Sequence, residues 1–190
     1  MHKPLINYIS GFVKMSDAET ELLKNYFVAA RFDKGAIIEK ENTIVEKLYF
    51  IVEGYVRVFY QDNGDENTTQ IIGKNNLITL FESFISGRIA DNNMMCVTEC
   101  ELLCITKPDY EFISTAMPSW SLFCKTIYES VIEFNLQRTK DLITLNAEER
   151  YLQLMTQQPG IIQNVPIQYI ASYIGIKPES LSRIRRKIIS

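Results

Sequence analysis

The residues with the most distinctive chemistry lie in the last 14 positions of this 190-residue chain. If this segment is a helix with about 100° per residue, one side carries side chains that can hydrogen-bond to base edges, namely Glu179, Ser182, Arg183 and Arg186. The apolar Leu181 falls on the opposite side. An arginine can bind the O6 and N7 atoms of guanine in a fork, and a carboxylate can accept a hydrogen bond from cytosine N4. The pattern therefore predicts a helix that reads bases in the major groove of double-stranded DNA.

Neighbouring residues are suited to the DNA backbone, because cations and short polar groups bind phosphates and set the register of a protein on the duplex. The chain as a whole has a net charge of −3, but its last 14 residues contain five basic residues and one acidic residue, so an excess of positive charge that would attract DNA is concentrated at this end. The alternative is an ordinary pair of antiparallel helices with a solvated basic face. The full predicted contact set is Lys177, Pro178, Glu179, Ser180, Ser182, Arg183, Arg185, Arg186 and Lys187.

A helix-turn-helix pattern would position these side chains. Residues 167–173 predict a short first helix, and residues 178–188 predict a second helix that starts with a proline. Gly175, between the two, can take the left-handed turn conformation, and Ala171 is small enough to let the helices cross closely. Both requirements of the motif are therefore met.

The remainder of the chain contains two other kinds of sequence pattern. Residues 4–30 have helical spacing of apolar residues, whereas residues 31–107 consist of short β-branched and aromatic runs separated by turn residues, as in an all-β roll. Neither Pro nor Gly occurs between Pro118 and Pro159, which leaves room for a long helix over residues 119–144. The predicted fold class is α+β, with an N-terminal jelly-roll-like β-roll and its preceding helices over 1–117, a long dimerisation helix over 118–145 and a C-terminal helix-turn-helix domain over 146–190.

Two apolar stripes run along the predicted long helix. One stripe could pack on the roll and the other on a second copy of the chain, and we assign the first to a homodimer interface. A single broad stripe buried within one subunit is the alternative. The first stripe consists of Trp120, Cys124, Ile127, Val131 and Phe134, and the second of Leu122, Ile132, Leu136 and Ile143.

Enzymatic and metal chemistry have little support. The only histidine is His2, and the chain has no nucleophile motif, no P-loop and no set of metal ligands at suitable spacing, so we predict no catalytic residue, no metal and no cofactor. The absence of an apolar leader and of a long apolar run predicts a cytoplasmic protein that does not enter membranes. Free buried thiols are expected for the four cysteines, with the first three on one face of a strand, at Cys96, Cys100, Cys104 and Cys124.

The order of these parts resembles the Crp/Fnr family of bacterial transcription regulators over essentially the whole chain. The residues that carry the resemblance are 48–59 in the roll, 147–151 after the long helix and 170–186 in the helix-turn-helix. The resemblance implies a homodimer on a near-palindromic DNA site, with Glu179 and Arg183 reading bases and RNA polymerase as a further partner. It also implies a winged-helix-like domain, whose wing strands would have to come from residues 161–165.

The resemblance bears on the effector as well. Members that bind cyclic nucleotides have a Phe-Gly-Glu segment followed by an Arg-Ser or Arg-Thr pair, which hold the phosphate and the ribose. Here Ala90 and Asp91 stand where the arginine pair should be, so we expect no tight binding of cyclic AMP or cyclic GMP. An unidentified small-molecule effector could still bind at Phe81, Glu82, Ser83 and Arg88. The alternative function is a β-roll ligand sensor or interaction module that has lost DNA binding.

Overall fold

Two short helices precede the sheets. In the computed structural model, which describes residues 1–189, helix α1 spans Lys3–Ser10 and helix α2 spans Asp17–Tyr26. The expected capping box starts α2, since the Ser16 hydroxyl accepts from the Glu19 amide at 3.2 Å and the Glu19 carboxylate accepts from the Ser16 amide at 2.8 Å. Strand β1 (Val28–Phe32) follows at once, so the helical prediction was wrong for residues 28–30, which pair with a distant strand instead.

Within the described residues, eight strands form two antiparallel four-stranded sheets, and this confirms the predicted β-roll. The strand orders are β1-β8-β3-β6 and β2-β7-β4-β5. Asn63 and Gly64 form the predicted two-residue hairpin with φ of 52° and 87°, because such a turn needs two left-handed residues. The remaining strands are β2 (Ile37–Glu39), β3 (Lys47–Glu53), β4 (Tyr55–Asp62), β5 (Asp65–Gly73), β6 (Asn76–Ile78), β7 (Asn93–Cys96) and β8 (Cys100–Thr106), with helix α3 (Phe81–Ser86) between β6 and β7.

The cysteines are free thiols, but they do not share one strand. Cys96 ends β7 in one sheet, whereas Cys100 and Cys104 lie on β8 in the other, so the expectation of a single strand face was wrong. The even spacing of the three cysteines in the sequence does not show that the chain turns at residues 97–99 and passes from one sheet to the other. Burial raises the pKa of the Cys124 thiol to about 12, so this thiol stays protonated at neutral pH.

Helix α4 (Lys107–Ala116) leads into the long helix α5 (Pro118–Thr144), which has 27 residues and a length of about 40 Å. Only the first turns of α5 are covered by the roll. Trp120 is fully buried against Phe27 and Phe123, and Cys124 is 6% exposed. The assignment of Trp120 and Cys124 to a dimer interface is therefore corrected, because both side chains are already enclosed by their own subunit.

Four helices complete the described chain, namely α6 (Ala147–Gln157), α7 (Pro159–Asn164), α8 (Ile167–Tyr173) and α9 (Pro178–Ile189). They share a second apolar core with the roll, which contributes Ile71 and Val97 to the same buried cluster as Leu154 and Ile161. The strand expected at residues 161–165 is absent, since α7 occupies most of this segment, and residues 146–189 contain no strand that could form a wing. None of the helices within residues 1–189 is both long and apolar enough to cross a membrane.

Candidate nucleic-acid interface and the pocket of the β-roll

The helix-turn-helix has the local geometry that the sequence predicts. Helix α8 spans the predicted residues, and Gly175 in the turn has φ of +75°. The turn is closed by hydrogen bonds from the Gly175 amide to the Ser172 carbonyl at 3.0 Å and from the Ile176 amide to the Ala171 carbonyl at 2.9 Å. Ala171 and Leu181 are fully buried where α8 meets α9. The start of α9 is thus set by contacts within some 20 residues of chain.

The solvent-facing side of α9 carries the predicted polar set. Leu181 anchors the opposite side in the core, while Pro178, Ser180 and Arg185 are half-buried at the margins. The Ser182 hydroxyl donates to the Pro178 carbonyl at 3.0 Å, so its oxygen remains able to accept a hydrogen bond. Exposed residues on or next to this helix are Lys177, Glu179, Ser182, Arg183, Arg186 and Lys187.

Lys187 differs from the other basic residues in its surroundings. Its ammonium group forms an ion pair with the Glu148 carboxylate of α6 at 2.8 Å. A DNA phosphate would therefore have to compete with a carboxylate for this lysine. The pair also connects the end of α9 to the first turn of α6.

Two arginines that the predicted contact set does not include hold the end of α8. The Arg138 guanidinium on α5 donates to the Tyr173 carbonyl at 2.7 Å and lies 4.2 Å from the centre of the Tyr173 ring. Arg150 on α6 donates through Nε to the Ile174 carbonyl at 2.9 Å. The last carbonyls of a helix lack partners within it, and these arginines supply them. The sequence feature that could have identified Arg138 is its charge, because it stands in line with an apolar stripe of α5.

The predicted effector residues border one open pocket of about 590 Å³ in the roll. Glu82 and Arg88 form an exposed ion pair at 3.0 Å across its rim. Ser83 is buried, and its hydroxyl accepts from the Val45 amide at 3.0 Å and donates to the Arg88 carbonyl at 2.6 Å, so it supports the loop. The Phe81 ring packs edge-on against Tyr128 of α5, with 5.0 Å between the ring centres.

The residues of this pocket do not fit a cyclic phosphate. Arg88 is the only cation among the residues that line it, and its side chain is 74% exposed and paired with Glu82. Asp91, also at the pocket, adds a second carboxylate. A buried phosphate needs a desolvated cation or a set of amides, whereas carboxylates repel it.

The apolar stripes of α5 are exposed to different degrees. Of the predicted interface, Ile127 is half-buried, while Val131 and Phe134 are 47% and 42% exposed. Phe134 borders the cleft between α5 and the helix-turn-helix. The second stripe is more exposed over its whole length, at Leu122 (56%), Ile132 (60%), Leu136 (68%) and Ile143 (81%).

Residues 29–114 match the sequence family described as the cyclic nucleotide-binding domain. No match was found among curated proteins. Solved structures similar to this chain include the c-di-GMP-responsive global regulator CLP of Xanthomonas campestris, with 16% identity, a TM-score of 0.70 and 91% of each chain covered. FixK2 of Bradyrhizobium japonicum is similar with 13% identity, a TM-score of 0.74 and 85% of this chain and 84% of that chain covered.

A further similar structure is a protein of Eubacterium rectale assigned to the Crp/Fnr family of transcriptional regulators, with 15% identity, a TM-score of 0.70 and coverage of 91% and 83%. The fold is thus a β-roll of the cyclic nucleotide-binding type followed by a long helix and a helix-turn-helix. Over the matched 85–91% of its length the chain has the fold of the Crp/Fnr regulators, and the resemblance inferred from the sequence is confirmed at the level of the fold.

Proposed function

We propose that this protein is a transcription regulator of the Crp/Fnr type, which binds a near-palindromic DNA site as a homodimer and inserts α9 into the major groove. The observation that carries the proposal is the division of α9 into a buried and an exposed side. Leu181 anchors the helix in the core, whereas Glu179, Arg183 and Arg186 project into solvent. These are the side-chain types that recognise base edges and phosphates.

The length and the exposure of α5 support the proposed dimer. Every residue from 129 to 137 is exposed, although this stretch contains Val131, Ile132, Phe134 and Leu136. A long helix with uncovered apolar side chains is stabilised when a second copy packs against it. Pairing would place two recognition helices about 34 Å apart, one turn of DNA, with the second stripe as the contact surface.

Regulation by cyclic AMP is not part of the proposal, because the pocket of the roll lacks a buried cation. The protein would act in the cytoplasm without a catalytic function, and RNA polymerase would be a partner if it activates transcription.

Selection of binding sites from random duplex DNA, with purified protein and no added effector, tests the proposal. We expect a two-fold symmetric motif. Arg183→Ala should then weaken binding to the selected site by about 1–3 kcal/mol and relax the preference at one base pair of each half-site. Lys177→Ala is the matched control, since loss of a phosphate contact should weaken selected and random sequences alike.

Recovery of no motif by protein that is folded and dimeric would contradict the proposal and favour a sensor module without DNA binding. Equal losses on selected and random DNA for both variants would refute the base-reading role of Arg183.

A further inference from the structure

Arg57 is a buried charge at the junction between the roll and the helix-turn-helix. It lies on β4, and its side chain is 1% exposed. Its guanidinium carbon is 4.0 Å from the centre of the Phe59 ring and 3.6 Å from the centre of the Tyr169 ring, which belongs to α8. The cation therefore contacts one aromatic ring from the roll and one from the helix-turn-helix.

Polar partners of Arg57 come from the neighbouring strand. The guanidinium donates to the Thr68 hydroxyl at 3.3 Å and pairs with the Glu66 carboxylate, both on β5. Its Nε has no hydrogen-bond partner within the described part of the chain. A buried charge is costly unless it is paired, and contact with an aromatic face stabilises a cation more strongly when water is excluded. Tyr169 therefore supplies stabilisation that the roll alone does not provide.

Hydrogen bonds between one side chain of α8 and the backbone of β5 also join the roll to the helix-turn-helix. The Ser172 hydroxyl of α8 accepts from the Thr68 amide at 2.8 Å and donates to the Glu66 carbonyl at 3.0 Å. Strand β5 is the edge of its sheet, so these two groups have no neighbouring strand to bind. Helix α8 takes the place of that strand through one side chain.

We propose that Arg57 is a positioning residue, which fixes α8, and with it the recognition helix, in one orientation on the β4–β5 hairpin. Two hydrogen bonds in the turn and a shared apolar core join α8 to α9, so an element that fixes α8 also fixes the position of α9. The importance of this orientation for reading DNA rests on the proposed function, whereas the docking itself does not.

Hydrogen exchange of the full-length protein tests the docking without DNA. Tyr169→Leu removes the ring from Arg57, and Tyr169→Phe, the matched control, keeps it. We expect the Thr68 amide, which is bonded to Ser172, to exchange about tenfold faster or more in Tyr169→Leu and at the native rate in Tyr169→Phe. Amides of the remote strand β3 should exchange equally in all three proteins.

Arg57→Lys is a second variant, which keeps the charge but loses the planar guanidinium that contacts both rings, and the same acceleration is expected. An unchanged Thr68 exchange rate in Tyr169→Leu would overturn the proposal, as would equal acceleration in Tyr169→Phe.

DNA binding supplies the second measurement. Tyr169→Leu should lose about tenfold in affinity for the selected site and less than about twofold for random DNA, because base reading by two half-sites needs both recognition helices at fixed spacing. Faster exchange with unchanged specific affinity would overturn the role of Arg57 in positioning for DNA. If the native protein selects no DNA motif, the proposed function fails, and the exchange measurement still decides on the docking.

Discussion

At the scale of single residues, Gly54 joins the two sheets of the roll at a point where no other residue fits. It lies between β3 and β4 with φ of +101°. A Cβ at this position would lie 2.5 Å from the Glu99 carbonyl oxygen and 2.6 Å from the Cys100 sulfur. Both the backbone conformation and the close approach of the 97–99 connection therefore require glycine.

Gly54→Ala should lower the free energy of unfolding by about 3 kcal/mol or more, because it adds a steric clash to the cost of a left-handed alanine. Gly64→Ala is the control, since Gly64 has φ of +87° but nothing within 4 Å of the added carbon, and about 1 kcal/mol is expected there. Denaturant titration of both variants measures the difference. Equal losses would show that the contact with Glu99 and Cys100 does not restrict this position.

At the scale of elements, α5 has two roles, which belong to different parts of its length and to different faces of the helix. Its first turns close the core of the roll around Trp120, and its last turns hold α8 through Arg138. The middle is exposed on all sides in a single chain. This places the dimer contact, in our proposal, on the second stripe, since the first stripe faces the chain's own roll and helix-turn-helix over much of its length.

Leu136→Glu should therefore convert the protein from a dimer to a monomer, because a charge in the centre of a helix pair stays desolvated without a partner. Ser130→Glu provides the matched control, as an exposed position of α5 that faces away from the second stripe. Sedimentation velocity measures the mass of both variants and so distinguishes a monomer from a dimer. A dimeric Leu136→Glu protein would refute the second stripe as the contact surface.

At the scale of the whole molecule, the charge distribution predicts that the proposed DNA binding depends strongly on salt concentration. The net charge is −3, yet five of the 20 basic residues lie in the last 14 positions. The acidic remainder opposes non-specific attachment, whereas each cation on α9 that meets a phosphate releases counterions.

Lys177→Ala should flatten the slope of log K against log salt concentration by about 2 for the dimer, since each lost phosphate contact contributes about 0.9. Lys125→Ala, which removes an exposed lysine in the first half of α5 outside the predicted contact set, should leave the slope unchanged. Binding isotherms at several salt concentrations measure both. A slope that Lys177→Ala does not alter would exclude this lysine from the phosphate contacts.

The sequence by itself determined the elements whose signals are local. Pro178 starts α9, Gly175 makes the left-handed turn, and Asn63-Gly64 closes the hairpin, because each acts on backbone within a few residues of its position. The order of roll, long helix and helix-turn-helix follows from such signals, and so does the side of α9 that carries Arg183.

Only the tertiary structure decided which apolar surfaces pack against each other. Periodicity shows that α5 has two apolar stripes, but Trp120 and Leu122 are equally suited to a core and to an interface, and the roll enclosed Trp120. The same holds for Arg57, whose sequence surroundings are those of an ordinary strand residue. The role proposed for it depends on its contact with Tyr169, which is more than 100 positions away, and contacts at such separations leave no pattern in a single sequence.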